Sequence, residues 1–489
     1  MLELRLLTSL AVHHKRTLKN GDIKQAFVQA VLPDDEKYVL RPPPGCPNTP
    51  KNTYWLLKRT LYGLKRSPKH WFEKATKMMA ECGLTPTLHN PCIFSGKPDG
   101  VHTLYLGLYV DDLCYFSESD ECEKIFEKRL SKQTTVDFMG EASHFLGIKF
   151  KWTKHEDEHI SVHLNQQAFA EQMISANKLE HANPTKTPYS SGHPVDSVAH
   201  CKIPTTERAN LASELRSIVG SLLWLSQGTR PDLSTIVSML AKYQSNPSYG
   251  HIRAAKHVIC YVKGTVSKGI SFSSKQDSNL QAFMNFPINK NSLLPFTDAN
   301  WGGQDQGHNR TSITELTRFK TRSISGYIIL FNGPLHWSSK RQKVTARSSV
   351  EAEIYATGDC VKELLRIKNI CDDLNIRHIL MPNKPLNIYN DNNACVCWSK
   401  ATTTKGLRHI TIRENAIRES VDSKFINVLH VSGKTNLADI FTKEMKDAAQ
   451  FILLRDFVVT DPPTLIEIEF DPLSSRDGER GVLETTDRP

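Results

Sequence analysis

No run of about 18 apolar residues occurs in the 489-residue chain, so a membrane-spanning helix is not expected. Acid and base interrupt the opening Met1-Leu2-Glu3-Leu4-Arg5-Leu6-Leu7, which is not a signal-peptide pattern, and secretion is not expected. The eleven cysteines form no CxxC and no ligand-spaced Cys/His cluster. That argues against zinc, and free thiols suit a reducing, intracellular compartment. Cys395-Val396-Cys397 alternates as packing residues do. No internal repeat is present, which argues against a solenoid.

What is present is length and positive charge. The length allows two to four domains. The net charge is +10, and it is unevenly spread. Residues 446–489 carry five basic and ten acidic side chains, a net of −5, which leaves +15 on residues 1–445. A basic body with an acidic tail is compatible with a polyanion partner.

Leu106-Gly107-Leu108-Tyr109-Val110-Asp111-Asp112-Leu113-Cys114-Tyr115-Phe116 reads as strand, tight turn and strand, with two carboxylates at the turn. A buried like-charged pair is unfavourable unless a cation neutralises it. A solvated turn is the competing reading, because Asp is a common turn residue. Asp22, in Asp22-Ile23-Lys24-Gln25-Ala26-Phe27-Val28, is another acid at a strand in an apolar setting. Strands that meet in one sheet can gather such acids around two divalent metals, and phosphoryl transfer uses that arrangement. The hard oxygen ligands it needs fit the missing Cys/His cluster.

Between these acids and residue 290 the pattern predicts a Pro-rich loop over 33–50 and a helix from Pro68 to about Cys82. Further helices are predicted over 119–133, 166–178 and much of 207–264. From about residue 290 strands and helices alternate in the order of a mixed sheet with helices packed on it. Four acids lie there: Asp298, Asp391 and Asp439 at strand ends or helix starts, and Glu353 within a helix. Four carboxylates can hold two metals that hydrolyse a phosphodiester. Past residue 450, Pro and acid enrichment predicts a disordered or poorly packed tail.

Tyr109-Val110-Asp111-Asp112 resembles the Y-x-D-D box of reverse transcriptases, and Asp22-Ile23-Lys24-Gln25-Ala26-Phe27 resembles their first catalytic motif. Leu61-Tyr62-Gly63-Leu64-Lys65-Arg66-Ser67-Pro68, Phe145-Leu146-Gly147-Ile148 and Thr229-Arg230-Pro231-Asp232 are similar to LYGLKQAP, FLGI and TRPD elements of copia-type LTR retrotransposons. Phe296-Thr297-Asp298-Ala299, Ser348-Ser349-Val350-Glu351-Ala352-Glu353-Ile354-Tyr355-Ala356, Tyr389-Asn390-Asp391-Asn392 and Asn436-Leu437-Ala438-Asp439-Ile440-Phe441-Thr442-Lys443 resemble the boxes of the RNase H in the same elements. Trp337-Ser338-Ser339-Lys340-Arg341-Gln342 and Arg408-His409-Ile410 resemble two more of its boxes.

The resemblance implies an α+β / α/β chain: a reverse-transcriptase palm with partial fingers over 1–160, a helical thumb and connection over 161–285, an RNase H-like mixed sheet with helices over 286–447, and an acidic tail over 448–489. It implies an RNA-directed DNA polymerase with linked RNase H, using Mg²⁺, two per active site. Asp22, Asp111 and Asp112 would hold the polymerase metals, and Asp298, Glu353, Asp391 and Asp439 those of the RNase H. Glu353 is preferred to Glu351, because the family's E-x-x-A pattern follows it. Phe27 stands at the steric-gate position, with an ordinary core aromatic as the competing reading. Tyr62 and Tyr109 would meet nucleotide and primer end. Lys65 and Arg66 would touch nucleic-acid phosphate, or form a solvated basic turn. The implied partners are RNA template, DNA primer, RNA–DNA hybrid and deoxynucleoside triphosphates, with other Pol or Gag products of the element. The implied location is the cytoplasm in virus-like particles, or the nucleus. Only 21 residues precede Asp22, so a truncated fingers region is expected. A second reading follows from that: a product that binds hybrid without polymerising, with RNase H activity at most.

Overall fold

The computed structural model describes residues 1–46, 50, 52–189, 195, 204–275, 277–288, 292–302, 322–382, 385–401, 412–445 and 447–463. Residues 303–321, the Arg408-His409-Ile410 box and residues 464–489 lie outside the described residues.

The first sheet has six antiparallel strands in the order Leu84–Pro86, Ile93–Gly96, Leu104–Tyr109, Asp112–Ser117, Lys19–Ile23, Val136–Glu141. Its central strands are apolar on both faces, so they read as near-continuous hydrophobic runs. Leu104, Leu106, Leu108, Leu113 and Tyr115 face helices Ser67–Glu81 and Asp120–Ser131, where Trp71, Met79, Phe126 and Leu130 complete a core. Tyr105, Cys114 and Phe116 face the opposite way, into the core that holds helix Leu2–His13. Gly107 permits that second contact, because a Cβ there would meet Leu7 Cδ1 at 2.9 Å.

Helix Leu2–His13 has no polar face: ten of its twelve residues are buried. It lies between the first sheet, a four-stranded sheet and the last sheet. The four-stranded sheet runs Ile270–Ser273, Ile160–Asn165, Ile148–Lys154, His144–Phe145. Ile160–Asn165 pairs with strands before and after it in sequence, so a division at 160/161 falls inside one sheet, and the 161–285 region is not purely helical. Helices Thr205–Gly228, Ser234–Ala241 and Tyr249–Gly264 pack nearby.

The last sheet is mixed, ordered Pro334–Arg341, Ile324–Leu330, Leu294–Asn300, Leu386–Asn390, Ile426–His430. Its first three strands are antiparallel and its last two join in parallel. Helix Ser349–Asp373 packs against it through Ala352, Ile354, Cys360 and Leu364. Leu437–Phe441 forms a 3-10 turn. A helix comes later, at Ala448–Asp456, inside the segment expected to be a loose tail. Phe451, Leu454, Val458 and Val459 are buried, and the Phe451 ring meets the Tyr189 and Tyr261 rings edge-on. Apolar spacing over 451–459 outweighs the acid and Pro content averaged across the whole tail.

Candidate active sites

The first site sits at the tip of the six-stranded sheet. The hairpin turn is Val110-Asp111, and Asp112 is the first residue of the returning strand. Asp112 pairs directly with Asp22 on the neighbouring strand, and the Ile23 N–H donates to the Asp111 carbonyl at 2.9 Å. Antiparallel register therefore brings Asp22 and Asp112, distant in sequence, to one place. Burial, then the charges of Asp111 and Asp22, push the Asp112 carboxyl above its usual range. Val110 has φ +58°, a left-handed conformation that a β-branched residue seldom adopts. The Trp71 indole N–H donates to the Val110 carbonyl at 2.6 Å and ties that turn to helix Ser67–Glu81.

Lys24 Nζ lies 2.6 Å from Asp22 Oδ2 and 2.8 Å from Asp137 Oδ2. Hydrogen bonds to Asp137 and Asp22 hold its ammonium above the usual range. Phe27 and Tyr62 meet edge-on, their ring centroids 4.9 Å apart. Tyr109 and Tyr62 are exposed. Lys65 is exposed. Arg66 is also exposed and donates to Glu36 at 2.6 Å, with His70 on the other oxygen of that carboxylate. Arg66 is thus engaged within the chain.

The second site lies on the mixed sheet. Asp298 is on its central strand and Asp391 follows the adjacent parallel strand. Asp439 lies in the 3-10 turn, and Glu353 reaches in from helix Ser349–Asp373. Among the described residues, Asp298, Asp391 and Asp439 form the one acidic group whose ligand oxygens all lie within 4.8 Å of one another. Asp22, Asp111 and Asp112 do not meet that distance. Glu351 turns elsewhere: it accepts from the Arg347 N–H at 2.7 Å and the Tyr355 hydroxyl at 2.8 Å.

Electrostatics at this site follow from crowding. Burial and the Asp298 charge push Glu353 well above the usual carboxylate range. Burial and Asp298 raise Asp391, partly opposed by Lys443. Burial and Asp298 raise Asp439 to about 7, against Lys443. Burial acts to lower the Lys443 ammonium, but Asp298, Asp439 and Asp391 together raise it. Lys443 Nζ lies 2.9 Å from Asp439 Oδ2, and the Thr442 hydroxyl donates to Asp298 Oδ2. The other oxygen, Asp439 Oδ1, is buried with no hydrogen-bond partner. A partnerless buried oxygen among close carboxylates, with no soft donor among them, fits a hard divalent cation.

Sequence reading passed over Lys24, Asp137 and Trp71 at the first site, and Thr442, Lys443, Asn390 and Asn436 at the second. Lys24, Thr442, Lys443, Asn390 and Asn436 stand inside recognised boxes. Their signal was present, but only the acids announce their chemistry by residue type.

The two acid-bearing sheet edges define two candidate sites for metal-assisted phosphoryl transfer in one chain. Residues 1–191 match the family described as Reverse transcriptase (RNA-dependent DNA polymerase). The chain is 28% identical over 446 residues to the retrovirus-related Pol polyprotein from transposon TNT 1-94 of Nicotiana tabacum, covering 91% of this chain and 31% of that protein. It is 28% identical over 448 residues to the corresponding polyprotein from transposon RE1 of Arabidopsis thaliana, covering 91% of this chain and 28% of that protein. The chain thus spans about a third or less of the length of these curated relatives. It is also similar to a solved foamy viral protease-reverse transcriptase in complex with RNA/DNA hybrid, at 11% identity and a TM-score of 0.44, covering 94% of this chain and 46% of that one. Residues 1–191 are thus similar to reverse transcriptases, and most of the chain aligns with part of the Pol polyproteins of transposons.

Proposed function

We propose that the chain is an RNA-directed DNA polymerase with a linked RNase H, acting on an RNA template, a DNA primer, deoxynucleoside triphosphates and the resulting hybrid. The observation that carries this reading is the direct cross-strand pairing of Asp22 with Asp112, inside the segment that matches reverse transcriptases. Asp22, Asp111 and Asp112 would hold Mg²⁺ in the palm, and Asp298, Glu353, Asp391 and Asp439 would hold it in the second unit. When bound, such ions activate the attacking oxygen and stabilise the leaving oxygen of an in-line displacement. The chain's own residues supply the rest. The Phe27 ring, braced edge-on by Tyr62, would exclude a ribose 2′-hydroxyl. Tyr109, exposed beside the acids, would support the primer end. Lys443 would moderate the negative charge of the RNase H acids when substrate phosphate enters. Work in virus-like particles is compatible with this reading.

The test is two assays on one preparation: primer extension on an RNA template, and cleavage of an RNA–DNA hybrid, each with Mg²⁺. Asp111→Asn with Asp112→Asn should abolish the first and spare the second, and Asp298→Asn should do the reverse. Wild-type protein inactive in both assays would overturn the proposal.

One observation favours the narrower reading, hybrid binding with RNase H alone. Three of the second site's acids, Asp298, Asp391 and Asp439, converge within 4.8 Å, whereas Lys24 holds Asp22 in the first. Templated incorporation of deoxynucleotides would exclude it.

A further inference from the structure

Behind the four acids of the mixed sheet lies a layer of fully buried polar side chains: Thr297, Asn390 and Asn436 are each 0% exposed. Asn390 Nδ2 lies 3.0 Å from Glu353 Oε2, 3.1 Å from Thr297 Oγ1 and 3.4 Å from the Thr297 carbonyl. Two N–H groups thus serve three acceptors, one of them shared. Its Oδ1 accepts from the Asn392 N–H at 2.8 Å. That contact needs an acceptor, so it fixes which end of the amide faces Glu353. Asn436 Nδ2 donates to the Thr297 carbonyl at 3.0 Å, and its Oδ1 accepts from the Ala438 N–H at 3.1 Å.

One of these bonds reaches an acid directly, Glu353, and the others tie down residues beside the remaining three. Thr297 precedes Asp298. Asn390 precedes Asp391 and its carbonyl shapes the turn that carries it. The same side chain grips Glu353. Asn436 caps the turn that presents Asp439. The elements carrying Asp298, Asp391 and Asp439 therefore meet at Thr297, and Asn390 joins Glu353 to them. A bond to a ligand's carboxylate oxygen orients that ligand, and such outer partners typically alter metal affinity by about 10–100-fold.

We infer that Asn390 is a positioning residue of the acidic site: it sets the direction in which Glu353 faces the cation and links that direction to the turns carrying Asp391 and Asp439. This rests on the reading of these four acids as an RNase H metal site. Asn390→Leu keeps the volume and removes the donors, while Asn390→Ser keeps a hydroxyl.

The probe is Mn²⁺ alone, titrated calorimetrically into the full chain without nucleic acid. The binding lost in Asp298→Asn defines this site. Folding is checked by circular dichroism, and hybrid cleavage is measured separately. Folded Asn390→Leu should bind Mn²⁺ about tenfold more weakly at the Asp298-dependent site. Its kcat for hybrid cleavage should fall with KM unchanged, and Asn390→Ser should recover part of both. If Asn390→Leu does not fold, Asn390→Ser decides the matter through its Mn²⁺ affinity. A folded variant with wild-type Mn²⁺ affinity overturns the inference, as does wild-type protein with no Asp298-dependent binding. Weakened Mn²⁺ binding in a protein whose wild type cleaves no hybrid would sink the RNase H reading and leave the positioning role standing.

Discussion

The Arg5 guanidinium stacks 3.8 Å above the ring of Trp337, joining the first helix of the chain to an edge strand of the last sheet. Its N–H groups donate to the carbonyls of Leu335 at 2.8 Å, Gln227 at 2.8 Å and Gly228 at 3.1 Å. Gln227 and Gly228 end a long helix, where free carbonyls and the dipole favour a cation. Trp337 donates its own indole N–H to the Ser226 carbonyl at 2.9 Å. Arg5 is buried and is solvated by carbonyls rather than by a carboxylate.

Removing that side chain strips several buried acceptors at once. Arg5→Ala is expected to cost about 3 kcal/mol or more. Chemical denaturation followed by tryptophan fluorescence should show the loss. It should also split one transition into two, because the junction of three units is what weakens. A single, unshifted transition would count against this role.

Asp232 should make stability fall in acid. It is fully buried, with Arg230 at 3.0 and 2.8 Å on its two oxygens and the Tyr261 hydroxyl at 2.7 Å. Burial acts to raise its carboxyl, but the Arg230 charge and the hydrogen bonds hold it below the usual range. A depressed folded-state pKa gives stability that is present above the unfolded value, about 3.9, and lost as pH falls through the lower folded value. The melting temperature should drop steeply below about pH 4, and Asp232→Asn should flatten that slope. Arg230→Met, which leaves the carboxylate buried and unpaired, should cost about 3–5 kcal/mol.

Gly326 tests the second site without touching an acid. It pairs across from Asp298, and a Cβ there would meet Thr442 Cγ2 at 2.6 Å and Phe441 Cβ at 2.8 Å. Gly326→Ala should push the Asp439 turn off the sheet. A shift of about 1 Å can cost on the order of 100-fold in rate, so hybrid cleavage should fall far more than primer extension. Equal losses in the two assays would point to general unfolding instead.

Trp71→Phe removes the indole donor from Val110 and keeps an aromatic ring in the core. The strained turn should loosen, so primer extension should need more Mg²⁺ and its kcat should fall by about tenfold, with hybrid cleavage unchanged. An unaltered Mg²⁺ requirement would show that the turn holds its shape without Trp71.

The acids were legible because two-metal chemistry restricts residue type, and the apolar runs around them betray the strands. Glu353 was distinguishable from Glu351 by pattern, and the structure gives Glu351 a bond within its own helix turn. The TRPD element was legible as a box but not as a buried ion pair, since nothing in four letters reveals burial. Helix Leu2–His13 did not show its place: buried nearly all round, it offers no polar face to say where the core lies. The strands Leu84–Pro86 and Ile270–Ser273 were missed because they are short, and the second gains its order from a partner remote in sequence, Ile160–Asn165.

The central position of that first helix also bears on how the chain reaches its native state. Its partners at Gln227 and Leu335 lie 222 and 330 residues downstream. A ribosome adding roughly 5–20 residues per second would expose the helix for many seconds before those partners emerge. Leu4, Leu6, Leu7 and Leu10, all buried in the finished protein, would meanwhile be available to the wrong neighbours. High separation between contacting residues also slows folding itself. Synthesis of this chain is therefore expected to depend on chaperones that shield its N-terminal segment until the last sheet has formed.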